Sequence, residues 1–225
     1  MKSILPFTFL FAIICIVEIF AAVTGYTTLV YVFKPAIVIS LLAFSLWCLK
    51  KTKFGSKTIF MSGLCFALLG DIFLMIREKD LFIPGLGSFL VMQWLYVFTF
   101  HADIKDSPSK PYYLKYYLPF LIFALLLFFI LLPNLPDLTM RFAVGVYAFS
   151  IATMAWMAFL RRGFVSPISF QYVFTGAILF MISDSLIAVD RFLFDIPFNS
   201  IWVMSTYVIA QYLIVIGIIK KQTET

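Results

Sequence analysis

Long apolar segments follow one another along nearly the whole chain. They cover residues 4–22, 28–48, 58–76, 82–100, 116–132, 141–160, 170–189 and 200–219. A helix needs about 20 apolar residues to cross the hydrocarbon core of a bilayer, and backbone groups in lipid must form hydrogen bonds within the protein. Only 12% of the residues are charged, against about 25% in an ordinary soluble domain. We therefore predict an all-α, multi-pass membrane protein whose eight transmembrane helices form a single domain over residues 1–225.

Basic residues between these segments indicate the orientation of the chain. Twelve lysines and arginines fall on one side of the membrane if every segment spans it, and four fall on the other. The larger group is Lys2, Lys50, Lys51, Lys53, Lys57, Lys105, Lys110, Lys115, Arg161, Arg162, Lys220 and Lys221, and the smaller group is Arg77, Lys79, Arg141 and Arg191. Cytoplasmic loops carry an excess of Lys and Arg, so we predict that both termini are cytoplasmic, in a bacterial inner membrane. This asymmetry explains the net charge of +6 without a nucleic-acid partner.

Two segments share a motif with an aspartate eight residues after a glycine. The motif contains Gly63 and Asp71 in the third segment, and Gly176 and Asp184 in the seventh, at an offset of 113 residues. Both segments run from inside to outside in the predicted topology. A parallel duplication of four helices plus four, with halves at about 1–110 and 111–225, would produce this relation. Chance similarity between two membrane helices is the alternative explanation.

Polar side chains from several segments fall in one layer below the predicted outer surface. Asp71 lies six residues before Arg77, and Asp184 lies six residues before Asp190. At a rise of 1.5 Å per residue, each is about 9 Å below the outer boundary. At or near this depth come also Glu18, Lys34, Tyr147 and Tyr207, and deeper down come Gln93 and Gln211, with Tyr96 close to the helix face of Gln93. Ionisable groups are costly in hydrocarbon and normally face the interior of a helix bundle, so we predict that these side chains line one interior site.

Small residues border both aspartates, namely Ala67 and Gly70 beside Asp71, and Ser183 beside Asp184. Small faces let membrane helices approach closely, so both carboxyl groups should point into the bundle.

Three acids in this layer share one cation. Because Glu18, Asp71 and Asp184 accompany only Lys34, we expect at least one acid to keep its proton at neutral pH while another is ionised beside Lys34. A proton donor beside a carboxylate is the usual equipment for acid–base catalysis. The alternative for Glu18 and Lys34 is a purely structural ion pair.

The residue types that bind metals are too few for a histidine-rich centre. His101 is the only histidine, and Cys15, Cys48 and Cys65 lie in apolar segments without CxxC spacing. A zinc site usually needs three or four His, Cys or carboxylate ligands. We therefore predict no metal site of this kind.

The motifs around these residues resemble those of a known family. Lys34-Pro35, the GLxFxxxGDxxL pattern from Gly63 to Leu74, SDSLIAVDRF from Ser183 to Phe192, STYVIAQYLI from Ser205 to Ile214 and VYAFSIATMAW from Val146 to Trp156 are similar to motifs of the YhhN-type lysoplasmalogenase family. The resemblance covers nearly all of the chain, in the expected order. It departs at Gln93, because the family often has His-x-x-Tyr where this chain has Gln93-Trp94-Leu95-Tyr96. Gln93 can form hydrogen bonds but cannot shuttle protons.

The resemblance implies hydrolysis of the vinyl ether bond of lysoplasmalogens, lysophospholipids whose tail is joined through that bond. The products would be a fatty aldehyde and glycerophosphoethanolamine or glycerophosphocholine, with no metal or organic cofactor. The reaction needs a positioned acid, a base for water and negative charge near an oxocarbenium ion. Asp71 and Asp184 would divide these roles, in an order that the sequence does not decide. The expected substrate-binding residues are Glu18, Lys34, Gln93, Tyr96, Tyr147, Ser183, Tyr207 and Gln211.

Two other classes of function share some of these features. Proton-coupled transporters of small molecules or lipids also have duplicated halves and buried carboxylates, although neither aspartate segment contains the Gly/Pro interruption typical of a midplane transport site. A structural membrane protein would tolerate the loss of Asp71 or Asp184. Contact of the cytoplasmic lysines with membrane lipid is expected in any of these cases, and the sequence leaves a homodimer open.

Overall fold

The computed structural model of the protein describes residues 4–50, 55–76, 79–104 and 110–223. Within these ranges the chain forms eight α-helices and no strand. The helices are α1 Ile4–Thr24, α2 Thr27–Cys48, α3 Lys57–Met75, α4 Phe82–His101, α5 Lys110–Leu131, α6 Leu138–Leu160, α7 Pro167–Phe192 and α8 Asn199–Thr223, with a 3-10 turn at Leu132–Asn134. All eight are long and apolar enough to cross a membrane. The prediction of an all-α, multi-pass membrane protein is therefore confirmed.

Several helices extend beyond the apolar segments because polar residues cap them. The Asp137 side chain accepts a hydrogen bond from the Met140 N–H at 2.7 Å and starts α6. Ser166 caps α7 in the same way, and Pro167 occupies its first turn. These residue types satisfy or avoid the free N–H groups at a helix start. Hydrophobicity therefore predicts where these helices lie along the chain, and the capping residues determine where they begin.

Consecutive helices pack as four hairpins, α1–α2, α3–α4, α5–α6 and α7–α8. The hairpins join through the pairs α2–α3, α4–α6 and α6–α7, and α8 packs on both α1 and α2. Seven helices thus surround a common interior, while α5 lies outside against α6. The parallel repeat of four helices plus four stays a prediction.

Small residues allow the closest approaches between helices, as the sequence predicted. A Cβ atom added to Gly63 would lie 2.8 Å from the Tyr96 ring on α4. One added to Gly176 would lie 2.8 Å from the Ala210 carbonyl oxygen on α8. Because the Gly176 contact is with backbone, α7 and α8 could not keep this separation with a larger residue there.

The predicted orientation rests partly on residues outside the described ranges. Lys2, Lys51, Lys53, Arg77 and Lys105 belong to this group. The cytoplasmic position of both termini stays a prediction.

A buried charge cluster ties four helices together at the predicted cytoplasmic end. Arg161, at the end of α6, is fully buried, and its Nε donates to Asp103 Oδ2 at 2.8 Å. Its Nη2 donates to Ser169 Oγ on α7 at 3.0 Å, and that hydroxyl donates to the Gly217 carbonyl oxygen of α8 at 2.8 Å. Lys221 also pairs with Asp103. Because every charge here has a partner, the cluster closes this end of the bundle.

Removing the carboxylate from this cluster should destabilise the fold. We expect Asp103→Ala to lower the free energy of unfolding by about 3–5 kcal/mol, because Arg161 is then left buried without its partner. The measurement is thermal unfolding of the purified protein in detergent. Asp80→Ala is the control, since Asp80 is 74% exposed in its pair with Arg191 and such pairs contribute about 0–1 kcal/mol. Equal changes in melting temperature for the two variants would contradict the structural role of the cluster.

Candidate active site

Asp71 is buried and hydrogen-bonded to a tyrosine from the other half of the chain. Its carboxyl group on α3 is 3% exposed, and the Tyr207 hydroxyl on α8 donates to Oδ2 at 2.8 Å. The preceding residue, Gly70, lies against the Phe89 ring, which in turn packs edge-on against Tyr207. The small residue and the two rings thereby hold the carboxyl group away from the membrane lipid.

Asp184 has a similar partner in a more accessible setting. The Tyr147 hydroxyl on α6 donates to Oδ2 of Asp184 on α7. Tyr147 is buried, but Asp184 is partly exposed. The neighbouring Ser183 faces the other way and donates to the Val203 carbonyl oxygen of α8 at 3.1 Å. Ser183, predicted to bind substrate, therefore contacts α8 and lies apart from Tyr147.

The predicted glutamines lie in the same interior with different surroundings. The Tyr96 hydroxyl donates to Gln211 Oε1 at 2.9 Å, and Gln211 follows Tyr207 by one turn of α8. Gln93 is fully buried, and neither its Oε1 nor its Nε2 has a hydrogen-bond partner within the described part of the chain. A buried amide without partners is costly, and Gln93 lines neither the vestibule nor the clefts described below.

Glu18 and Lys34 lie close together but form no ion pair within 4 Å. Lys34 interacts electrostatically with both Glu18 and Asp71. Glu18 is 1% exposed, and its Oε2 has no hydrogen-bond partner. The alternative of a simple structural ion pair is therefore not what the structure contains.

A polar cavity of about 420 Å³ lies at the predicted outer end of the bundle. We call it the outer vestibule. Its lining includes Glu18 and Lys34. It also includes Asp190 and Arg191 near the end of α7 and Asn199 at the start of α8. Sequence reasoning used Asp190 only to mark depth and Arg191 only to count outer charges. The spacing of Arg191 from Asp184, seven residues on one helix face, was the signal that could have found it.

Two narrow apolar clefts of about 50 Å³ each meet at Asp184. The α4 cleft lies among α3, α4, α6 and α7, and the α5 cleft lies among α5, α6 and α7. Tyr147 and Asp184 line both clefts. Leu74, Phe82 and Ile187 line both the α4 cleft and the outer vestibule. The outer vestibule therefore adjoins the α4 cleft, and the α4 cleft adjoins the α5 cleft at Asp184.

The two aspartates differ in their access to these cavities. Their charges interact, so they belong to one electrostatic site. Asp71 is absent from the lining of the vestibule and of both clefts, and lies one turn before Leu74 and Met75, which line the vestibule. Of the two aspartates, only Asp184 therefore lines a cavity that a bound molecule could enter.

The described part of the chain contains no group of three His, Cys, Asp or Glu side chains that could hold a metal ion. The chemistry available in the site is that of three carboxyl groups, three tyrosine hydroxyls, one amine and two side-chain amides.

Comparison with known proteins relates this site to a family. The sequence profile of the YhhN family matches residues 29–218. Lysoplasmalogenase TMEM86A of Bos taurus is 32% identical over 171 residues, covering 74% of this chain and 68% of that protein. The Homo sapiens TMEM86A is 30% identical over 173 residues, with the same coverage. Lysoplasmalogenase TMEM86B of Rattus norvegicus is 32% identical over 169 residues, covering 74% of this chain and 64% of that protein. No solved structure matches the chain.

The family profile spans all the polar residues of the site except Glu18, and reaches from α2 to α8. The resemblance first read from short motifs is thereby confirmed: this chain belongs to the YhhN family.

Proposed function

We propose that this protein is a lysoplasmalogenase, which hydrolyses the vinyl ether bond of a lysophospholipid within the membrane. The observation that carries the proposal is the position of Asp184, paired with Tyr147 where two apolar clefts meet beneath a polar vestibule. The relatives named lysoplasmalogenases support the same activity. Apolar clefts suit the alkenyl tail, and the vestibule suits the headgroup.

The reaction begins with protonation of carbon. Asp184, in its acid form, gives the proton on Oδ1 to the β-carbon of the vinyl ether, and the π electrons form the new C–H bond. Tyr147 donates to Oδ2 and so keeps the carboxyl group oriented. The product of this step is an oxocarbenium ion, whose positive charge is shared by the α-carbon and the ether oxygen.

Asp71 is the second carboxyl group of the reaction. Tyr207 fixes its position, and in its ionised form Asp71 stabilises the oxocarbenium ion through space. Fixed charges aimed at developing charge are among the strongest catalytic effects.

Water completes the reaction. It adds to the α-carbon and gives up a proton to the carboxylate of Asp184, which forms a hemiacetal. The hemiacetal C–O bond to glycerol then breaks, as its hydroxyl proton leaves and a proton reaches the glycerol oxygen. One water is consumed, Asp184 returns to its acid form, and the products are a fatty aldehyde and glycerophosphoethanolamine or glycerophosphocholine.

We further propose that the site faces the outer leaflet of a bacterial inner membrane, with both termini in the cytoplasm. A carrier function has less support, because α3 and α7 carry the aspartates as continuous helices. Transport sites of the broken-helix type interrupt such segments.

Loss of the Asp184 proton donor should abolish most of the activity. We expect Asp184→Asn to lower kcat for a lysoplasmalogen by about 10²–10⁴-fold, the usual contribution of a general acid. Aldehyde release from purified protein in detergent, coupled to alcohol dehydrogenase and NADH, measures it. Asp195→Asn is the matched control, since Asp195 is exposed beyond the end of the same helix. A folded Asp184→Asn protein with more than half of the original kcat would show that Asp184 is not the acid.

The two aspartates should act in one step. Asp71→Asn should lower kcat by about 10²–10³-fold by removing charge stabilisation, with little change in KM because Asp71 lines none of the three cavities. In the double variant with Asp184→Asn, the loss should be far smaller than the product of the two single losses. Initial rates over a range of substrate concentrations give these values. Losses that multiply would mean that the two carboxyl groups act independently.

Protonation at carbon predicts an isotopic label in the product. Hydrolysis in D₂O should place one deuterium on carbon 2 of the aldehyde, because that carbon is the former β-carbon. Immediate reduction by alcohol dehydrogenase and NADH traps the label, and mass spectrometry of the alcohol counts it. The same aldehyde added to the D₂O assay without substrate corrects for exchange. A product without deuterium above this correction would exclude the proposed first step.

A further inference from the structure

One face of α7 connects the outer vestibule to the two apolar clefts. Asp184, Ile187, Ala188 and Arg191 follow one another at the spacing i, i+3, i+4, i+7, which places them on one side of the helix. Arg191 and Ile187 line the vestibule, and Ala188 and Asp184 line both clefts. The three cavities therefore lie in order along a single stripe of side chains.

We propose that this stripe binds one complete lysophospholipid in a fixed direction. The phosphate lies in the vestibule on Lys34 and Arg191, the vinyl ether lies beside Asp184, and the alkenyl tail runs into the α5 cleft. The inference rests on the proposed function for the identity of the cleaved bond. It adds the residues that recognise the headgroup and the path of the tail.

The charges of the vestibule suit a zwitterionic headgroup. The cations in its lining are Lys34 and Arg191, and the acids are Glu18 and Asp190. Asp190 already accepts hydrogen bonds from the Ile196 N–H at 2.8 Å and from Asn199 Nδ2 at 2.7 Å. Among the residues that the structure describes, Lys34 has no ion-pair partner within 4 Å. A phosphate would meet the cations, and an ammonium group would find carboxylates nearby.

Arg191 lines the vestibule, and its ion pair with Asp80 is weak enough to be exchanged for a phosphate. Its Nη2 lies 3.0 Å from Asp80 Oδ1, with side-chain exposures of 38% and 74%. Exposed pairs of this kind are weak, whereas bidentate hydrogen bonds from arginine to phosphate are strong. The guanidinium group also lies 4.0 Å from the centre of the Phe82 ring. Phe82 lines the vestibule and the α4 cleft, so it positions Arg191 directly above the path to Asp184.

The distance along α7 agrees with the size of the headgroup. Arg191 follows Asp184 by seven residues, or about 10 Å along the helix axis. The glycerophosphate unit together with the long arginine side chain bridges such a separation. The phosphate and the scissile bond can thus be bound at the same time.

The α5 cleft fits the tail because its walls are almost entirely apolar. Apart from Tyr147, Asp184 and Ser185, it is lined by Phe123, Ala124, Leu127, Phe128, Leu131, Val144, Ala148, Ile151, Met181 and Ala188. The Ser185 hydroxyl is satisfied by the Met181 carbonyl oxygen at 2.7 Å. This cleft shares no lining residue with the outer vestibule, whereas the α4 cleft shares three. A tail that starts from the vestibule therefore reaches the α5 cleft by way of Asp184, which lines both clefts.

Binding of an unreactive analogue tests the headgroup part. A 1-O-hexadecyl-glycero-3-phosphocholine has a saturated ether and cannot be cleaved by carbon protonation, and 1-O-hexadecylglycerol lacks the phosphate. We expect Arg191→Gln to weaken binding of the phosphocholine ligand by about 10-fold or more, as for loss of a charge-assisted pair, with less than about 2-fold change for the alkylglycerol. Titration calorimetry in detergent gives both dissociation constants.

Two matched variants show whether Arg191 binds the phosphate or only stabilises the fold. Asp80→Asn removes the present partner of Arg191 and should leave or improve phosphocholine binding. Arg141→Gln removes an exposed cation of α6 that is absent from the vestibule lining and should change nothing. The headgroup assignment is overturned if Asp80→Asn reproduces the Arg191→Gln loss, or if Arg191→Gln weakens both ligands equally or neither. Because no turnover is needed, failure of the hydrolase proposal would show separately, as absence of aldehyde from wild-type protein that binds the ligand.

A ligand without a tail tests the path into the α5 cleft, which at about 50 Å³ takes only the first carbons of the tail. Ala148→Phe should fill the cleft and weaken binding of the hexadecyl ligand by about 10-fold or more, with less than about 2-fold change for glycero-3-phosphocholine, which has no tail. Leu126→Phe is the control, on the exposed side of α5. Leu127→Trp fills the same cleft from α5 and replaces Ala148→Phe if that protein does not fold. An unchanged ratio of the two dissociation constants in the folded cleft-filling variant would place the tail elsewhere.

Discussion

A carboxyl group inside a bundle of apolar helices needs a hydrogen-bond donor, and here tyrosines on other helices supply it. Tyr207 serves Asp71 and Tyr147 serves Asp184. An unpaired polar group in this setting costs several kcal/mol, so each pair favours one arrangement of its helices. The Asp71–Tyr207 bond joins α3 to α8, two helices far apart in the chain. These two hydrogen bonds therefore lower the cost of burying the aspartates and also fix the positions of the two carboxyl groups.

The two ends of the bundle treat charged groups differently. At the predicted cytoplasmic end, Arg161 and Asp103 are buried and hydrogen-bonded to each other, although the Ser45 and Ser56 hydroxyls there have no partner among the described residues. At the other end, and again within the described part of the chain, Glu18 Oε2 is buried without a partner and Lys34 forms no ion pair within 4 Å. Native proteins seldom leave buried polar groups unsatisfied except where they serve a function. The unpaired charges of the outer end are therefore where a charged ligand has most to offer.

The lengths of the apolar segments were enough to predict eight helices, because a bilayer restricts spanning structures to few forms. Counting residues from the loops also placed Asp71, Asp184, Tyr147 and Tyr207 at one depth. Depth alone does not say which tyrosine meets which aspartate, since that depends on how each helix is rotated and on which helix is its neighbour. For the same reason Ser183 was expected in the pocket but bonds to α8.

Other features escaped prediction because they combine residues that look ordinary in sequence. Arg191 was counted as one outer charge among four. Its spacing from Asp184 puts both residues on one face of α7, but the cavity at that face forms only when the helices pack together. Asp103 and Arg161 lie in different loops, so their pairing appears only when α4 and α6 pack together. The expectation that Lys34 pairs directly with an acid assumed that opposite charges at one depth must touch, whereas Lys34 and Glu18 both line the vestibule without forming an ion pair within 4 Å.

The unequal access of the two aspartates bears on how they divide the proposed reaction. The carbon that takes the proton lies on the tail side of the ether oxygen, so the acid belongs at the apolar clefts. Asp184 lines both clefts, and Asp71 lies behind the vestibule wall within the field of Lys34. The positive charge that follows is shared with the ether oxygen, and Asp71, the second carboxyl group within electrostatic range of Asp184, is the one proposed to stabilise it. Sequence symmetry presents the aspartates as equivalent, and it is the different cavities around them that give each a separate role.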